Sequence, residues 1–196
     1  MARTKRTWLR WILLALLGLL VVGMVGFFTL APGIVENSRN VVEKTDLPEP
    51  DAETLALHKS LFIADMHADT LLWKRNLLES SSRGQVDLPR LQEGNVGLQV
   101  FSSVSKTPKG QNYDSNSADT DNITILAIAE RYPLRAWFNL YERARWQGEI
   151  LKDAVARSEA RGDSALRLIR SREDLSELLA ARRSGKPVIG ALLATE

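Results

Sequence analysis

Trp11 to Ala31 is an uncharged, apolar run. At about 20 residues it is long enough to cross the hydrocarbon core of a bilayer as a helix. It therefore constrains the chain more than any other stretch, because a folded domain must be built from the residues after Ala31. Arg3, Lys5, Arg6 and Arg10 precede it as a basic flank. A cleavable signal peptide also starts basic and turns apolar, but its apolar part is usually about 7–15 residues. Pro32, directly after Thr29-Leu30-Ala31, makes a poor cleavage junction. The run is therefore read as an uncleaved anchor. The positive-inside rule then leaves residues 1–10 in the cytoplasm and the remainder outside it, in the periplasm if the cell is Gram-negative.

The net charge of +2 comes mostly from that flank. No basic stripe with interleaved aromatics appears, so nucleic acid is not an expected partner. There is no cysteine, which excludes both a disulfide frame and a thiolate metal site. The domain must be held by its core.

Residues 32–50 are polar and irregular from Gly33 onward, with Pro48 and Pro50 near the end, and read as a linker holding the domain off the membrane. The domain is expected over 51–196. Asp51 offers an N-cap to a helix over 52–60. An apolar strand follows and runs into His67-Ala68-Asp69-Thr70. Thr70 to Leu78 looks helical. Pro89 to Glu93 reads as a short helix with proline in its first turn, stopped by Gly94-Asn95, and Val96 to Ser103 as a strand. Strand, helix, strand implies parallel pairing through a right-handed crossover. A long loop spans Ser105 to Asp119. Helices are expected over 119–132 and again from Leu134 to the stop at Gly162-Asp163. Trp137, Phe138 and Tyr141 are read there as a core face. Ala165 to Ile169 reads as a strand, and Ser171-Arg172-Glu173-Asp174 as a capping box. Val188 to Ala194 is a last apolar strand, running to Thr195-Glu196.

In an extended chain, residues two apart point the same way. His67 and Asp69 can thus aim an imidazole and a carboxylate at one point, an arrangement suited to a metal that accepts nitrogen and oxygen. The plain alternative is a hydrogen-bonded pair in a loop. His58, the other histidine, has no partner spaced with it and reads as a helix-surface or interface residue.

Three stretches taken in order resemble the membrane dipeptidase (renal dipeptidase-like) metallopeptidases. They are Ile63-Ala64-Asp65-Met66-His67-Ala68-Asp69-Thr70-Leu71; Val86-Asp87-Leu88-Pro89-Arg90-Leu91 leading to Gly94-Asn95-Val96-Gly97-Leu98-Gln99-Val100-Phe101-Ser102; and Ile189-Gly190-Ala191-Leu192-Leu193-Ala194-Thr195-Glu196. The resemblance covers roughly Leu55 to the end. It implies an α/β fold, the N-terminal portion of a (β/α)8 TIM-type barrel, with a two-zinc site at the carboxyl ends of its strands. It implies that His67 and Asp69 bind one Zn2+ and that Glu196 matches the glutamate bridging both. The implied activity is hydrolysis of dipeptides, with a D-residue tolerated at the C-terminal position, and the implied assembly is a homodimer.

Ala68 stands where many members carry asparagine. Residues 51–196 are also fewer than the roughly 250 that a complete barrel takes. The remaining histidine ligands and the substrate-binding and catalytic residues of the family are expected beyond Glu196, so the chain reads as an N-terminal part whose catalytic residues are unknown. A half-barrel leaves strand edges open, so the domain is expected to aggregate alone or to depend on a partner. Two other functions stay open: a non-catalytic envelope module derived from the same fold, and another metal-dependent amide or ester hydrolase.

Overall fold

A computed structural model describes residues 2–43, 46–163 and 165–196, with side chains from Thr7 onward. The side chains of Arg3, Lys5 and Arg6 fall outside that description. Helix α1 (Ala2–Arg39) carries the apolar run. Among the described residues it is the one helix long and apolar enough to cross a membrane, and its apolar window is unburied.

The expected linker departs from its reading. α1 does not stop near Pro32 but continues through it to Arg39, although proline removes one helical hydrogen bond. Tertiary contacts hold the extra turns. Glu36 meets Arg75 Nε at 3.1 Å and Arg83 Nη1 at 3.1 Å, Asn40 O accepts from Gly84 N at 2.7 Å, and Val41 bridges Arg83. The segment is docked on the domain, and residues 46–50 are left without regular structure.

Asp51 caps α2 (Ala52–Ser60) by accepting from Thr54 N at 2.7 Å. Strand β1 (Ile63–Ala68) follows. The helix expected over 70–78 shrinks to a single 3-10 turn at Thr70–Leu72, because the chain turns inward to bury Leu77 and Leu78 in the main core. Asp87 caps α3 (Leu88–Glu93). Its side chain also takes Ser81 N and the Arg90 guanidinium, which together hold this buried carboxyl below its ordinary range despite the burial that pushes it up. β2 (Val96–Ser103) has the expected bounds. The helix expected over 119–132 is only α4 (Ile123–Ala129), since Asp121 accepts from Ile123 N and Thr124 and starts it late. The next helical stretch is split at Phe138-Asn139 into α5 (Leu134–Trp137) and α6 (Leu140–Ala160). β3 (Leu166–Leu168), α7 (Arg172–Arg183), opened by the expected capping box, and β4 (Ile189–Thr195) complete the chain.

The four strands form one parallel sheet in the order β1-β2-β4-β3. The α/β class and the parallel crossover hold. The order differs from the consecutive staves of a barrel, because the chain passes β2, lays down β3 at the edge and returns to insert β4. That reversal, with right-handed crossovers, moves the connecting helix to the other face of the sheet. The packing agrees. Phe101, Ile189 and Ala191 pack with Leu88, Leu91, Leu151 and Ala154 of α3 and α6. Leu98 faces the other way, into a cluster with Leu175 and Leu178 of α7. At Gly190 a Cβ would fall 2.5 Å from Leu178 Cδ2 and 2.9 Å from Leu98 Cδ1, so glycine lets α7 approach the sheet there.

Candidate metal centre

His67 lies near the end of β1 and Asp69 directly after it, while Glu196 directly follows β4. β2 lies between these two strands. All three residues therefore sit at the carboxyl ends of parallel strands, where α/β sheets carry their ligands. His67 Nε2 is 3.0 Å from Asp69 Oδ1 and 3.5 Å from Glu196 Oε1. Among the described residues these three form a group whose candidate donor atoms all lie within 4.8 Å of one another, and all three are exposed.

Local structure explains how they meet. β1 advances three positions, from Asp65 to Ala68, while β2 advances two, from Gln99 to Phe101. This irregularity breaks the alternation and leaves Met66 and His67 both exposed. Ala68 is buried, so the side chain between His67 and Asp69 points away from the candidate site. Asp69 has left the strand, with φ −86° and ψ 23°, and still reaches the imidazole. Asp65 Oδ1 accepts from His67 N at 3.1 Å and steadies the turn.

Glu196 is placed by its backbone. Its N–H donates to Ser103 O at 3.2 Å, and its carbonyl accepts from Ser105 N at 3.2 Å and from Ser105 Oγ at 3.0 Å. The buried Gln147 of α6 clamps the residue between those serines. It accepts from Val104 N at 3.1 Å and donates to Val104 O at 2.8 Å. Gln147 and Ser105 are thus positioning residues that the sequence reading missed. Gln147 sits on the buried face of an amphipathic helix, and a lone glutamine there was the available signal.

The donor set fits a cation. Partial burial raises the Asp69 carboxyl above its ordinary range, the facing Glu196 carboxylate raises it further, and His67 opposes the shift. Two carboxylates pressed together with one imidazole are relieved by a positive ion. Donors of a tetrahedral zinc lie roughly 3.4 Å apart for bonds near 2.1 Å, so the observed spacings need only small side-chain adjustments. The exposure of all three leaves coordination positions open. His58 stays outside the group. It sits on α2, where its backbone carbonyl accepts from Asn95 Nδ2 at 2.8 Å.

Fold and site together define a class: an α/β protein behind one long apolar helix, with a parallel sheet bearing an exposed His/Asp/Glu group that could hold a metal ion. Compared with known proteins, the chain matches no family model, no curated protein and no solved structure.

Proposed function

We propose that the chain is a membrane-anchored, metal-dependent hydrolase that cleaves dipeptides or closely related amides, with Zn2+ at His67, Asp69 and Glu196. In this reading α1 is an uncleaved anchor and the domain lies outside the cytoplasm. The observation that carries it is the convergence of His67 and Asp69 with Glu196, from opposite ends of the domain, on one exposed point. The resemblance of the three stretches supplies the reaction class. Its implied barrel shares with this domain only the parallel pairing of β1, β2 and β4; the position of β3 and the two-faced helices fit an open sheet better.

His67 would supply an imidazole nitrogen, and Asp69 and Glu196 carboxylate oxygens. Glu196 keeps a second oxygen that could serve a neighbouring cation, the short spacing that two-metal hydrolysis uses. Zinc bound there supplies Lewis acidity and a water activated as a nucleophile near neutral pH. The exposed mouth lets a peptide carbonyl approach. Ser103 and Ser105 hold the Glu196 backbone while the reaction proceeds.

A second reading is a metal-binding envelope module without hydrolysis. It is favoured by the count of two histidines in the sequence, since His58 lies apart and a second zinc would lack imidazole ligands here. The deciding experiment is zinc-dependent release of amino acids from simple dipeptides by the full chain and by His67→Ala. Release that needs both zinc and His67 supports the hydrolase. Zinc binding without release supports the module.

A further inference from the structure

Helix α1 is more than a tether. Gly26, Phe28, Ala31, Pro32, Val35 and Glu36 are among its partly buried positions, and the last five fall at helical spacing on one face. α1 packs on α4, and Phe28 stacks on Trp137 of α5 with ring centroids 6.5 Å apart. Phe28 lies within the apolar run, three residues before its end at Ala31. At a rise of 1.5 Å per residue it sits about 4.5 Å inside the end of the span. If α1 crosses a bilayer, Trp137 is therefore held at the membrane–water boundary, where tryptophan is enriched.

Large apolar side chains on α4, α5 and the start of α6 are exposed. Leu134 is 75% exposed, Phe138 78%, Tyr141 71% and Ile125 64%. They belong to α4, α5 and the first turn of α6, elements tied together by a small cluster of Ala127, Tyr132, Ala136, Trp137 and Trp146. Exposed Arg131 lies among them, suited to headgroup phosphates, while Arg135 is held by Glu142 at 2.8 Å and Glu149 at 2.9 Å. Scattered apolar residues on a surface mean little, but an aromatic-rich group continuous with a membrane helix marks an interaction surface. We propose that the α4–α5 face lies in the lipid interface of the bilayer that α1 enters, with Leu134 and Phe138 inserted and Trp137 at the boundary. The domain then rests on the membrane and presents its metal centre from a fixed orientation. This rests on the spanning reading of α1, and on nothing about catalysis.

The absence of cysteine makes single-site labelling clean. The full chain carrying Leu134→Cys, Phe138→Cys, Ser176→Cys on α7 or Leu20→Cys in α1 is labelled with an environment-sensitive fluorophore. Each is reconstituted in mixed phosphatidylcholine–phosphatidylglycerol vesicles. Labels at 134 and 138 are expected to be blue-shifted, quenched by lipids bearing a nitroxide near the headgroup and shielded from iodide. The label at 176 stays open to iodide. Iodide access at 134 and 138 equal to that at 176, with the label at 20 still quenched by lipid, overturns the docking while leaving the span intact. A blue shift without lipid quenching puts protein over the patch, a second copy included, and also overturns it. No quenching at 20 by lipids bearing a nitroxide deep in the acyl chain overturns the spanning reading itself.

Discussion

At the residue scale, the meeting of His67 and Asp69 was legible because a His-x-Asp pair after an apolar strand is a local pattern. Glu196 was legible only through the resemblance, since nothing local says that the end of the last strand lies beside the first. The buried polar residues were not legible, because their partners are remote. Arg143 is fully buried and gathers Ser105 O, Asp121 Oδ2 at 3.0 Å, Thr124 Oγ1 at 3.0 Å and the carbonyls of Ala136 and Trp137. It fastens the long loop after β2 to α6. Arg143→Ala leaves those acceptors uncompensated and should cost about 3–5 kcal/mol, read as a lower urea midpoint. Glu130 is buried with Lys74 N donating to Oε2 at 3.1 Å and, among the described residues, no hydrogen-bond partner for Oε1. Burial raises its carboxyl above the ordinary range, so the folded state favours the protonated acid. The stability that protonation contributes is complete below the unfolded pKa and is lost as pH rises through the raised folded value. Glu130→Gln should therefore stabilise the domain at pH 8, with the gain gone well below about pH 4. Thermal melts across that range check the sign.

At the element scale, segments whose caps lie within the segment were read closely. Asp51 and Ser171 sit at their expected N-caps, and β2 has its expected limits. Segments decided by tertiary contacts were misjudged. The helix after β1 gave way to burial of Leu77 and Leu78, and α1 outran Pro32 because Arg75 and Arg83 hold Glu36. The strand order was hidden for the same reason: a three-residue strand such as β3 has little local signal saying on which side of β4 it pairs. The elements also tune the site. α6 reaches Glu196 through Gln147, Val104 and Ser105. Gln147→Ala should loosen that carboxylate and weaken zinc binding by ~10-fold, as loss of an outer-shell partner does, while His67 and Asp69 stay in place. Competition with a chromophoric chelator measures the change.

At the scale of the whole molecule, the apolar helix and the segment after it are docked on the domain. A boundary drawn at Pro50 cuts through contacts that the sequence reading took for a slack linker. Removing residues 1–50 strips Glu36 from Arg75, a guanidinium whose pKa burial already lowers and Glu36 raises, and uncovers Trp137. With or without that segment β1 is an edge strand with Met66 exposed, a surface open to pairing. The trimmed domain should self-associate on size-exclusion chromatography, and a sharp monomer with a cooperative melt would count against this picture. The central claim is the metal centre, and titration of the full chain with zinc, followed calorimetrically, tests it most directly. Saturable binding is expected, weakened at least about 100-fold by His67→Ala, beyond the effect of any outer-shell change. Absence of binding, or binding untouched by His67→Ala, would contradict it.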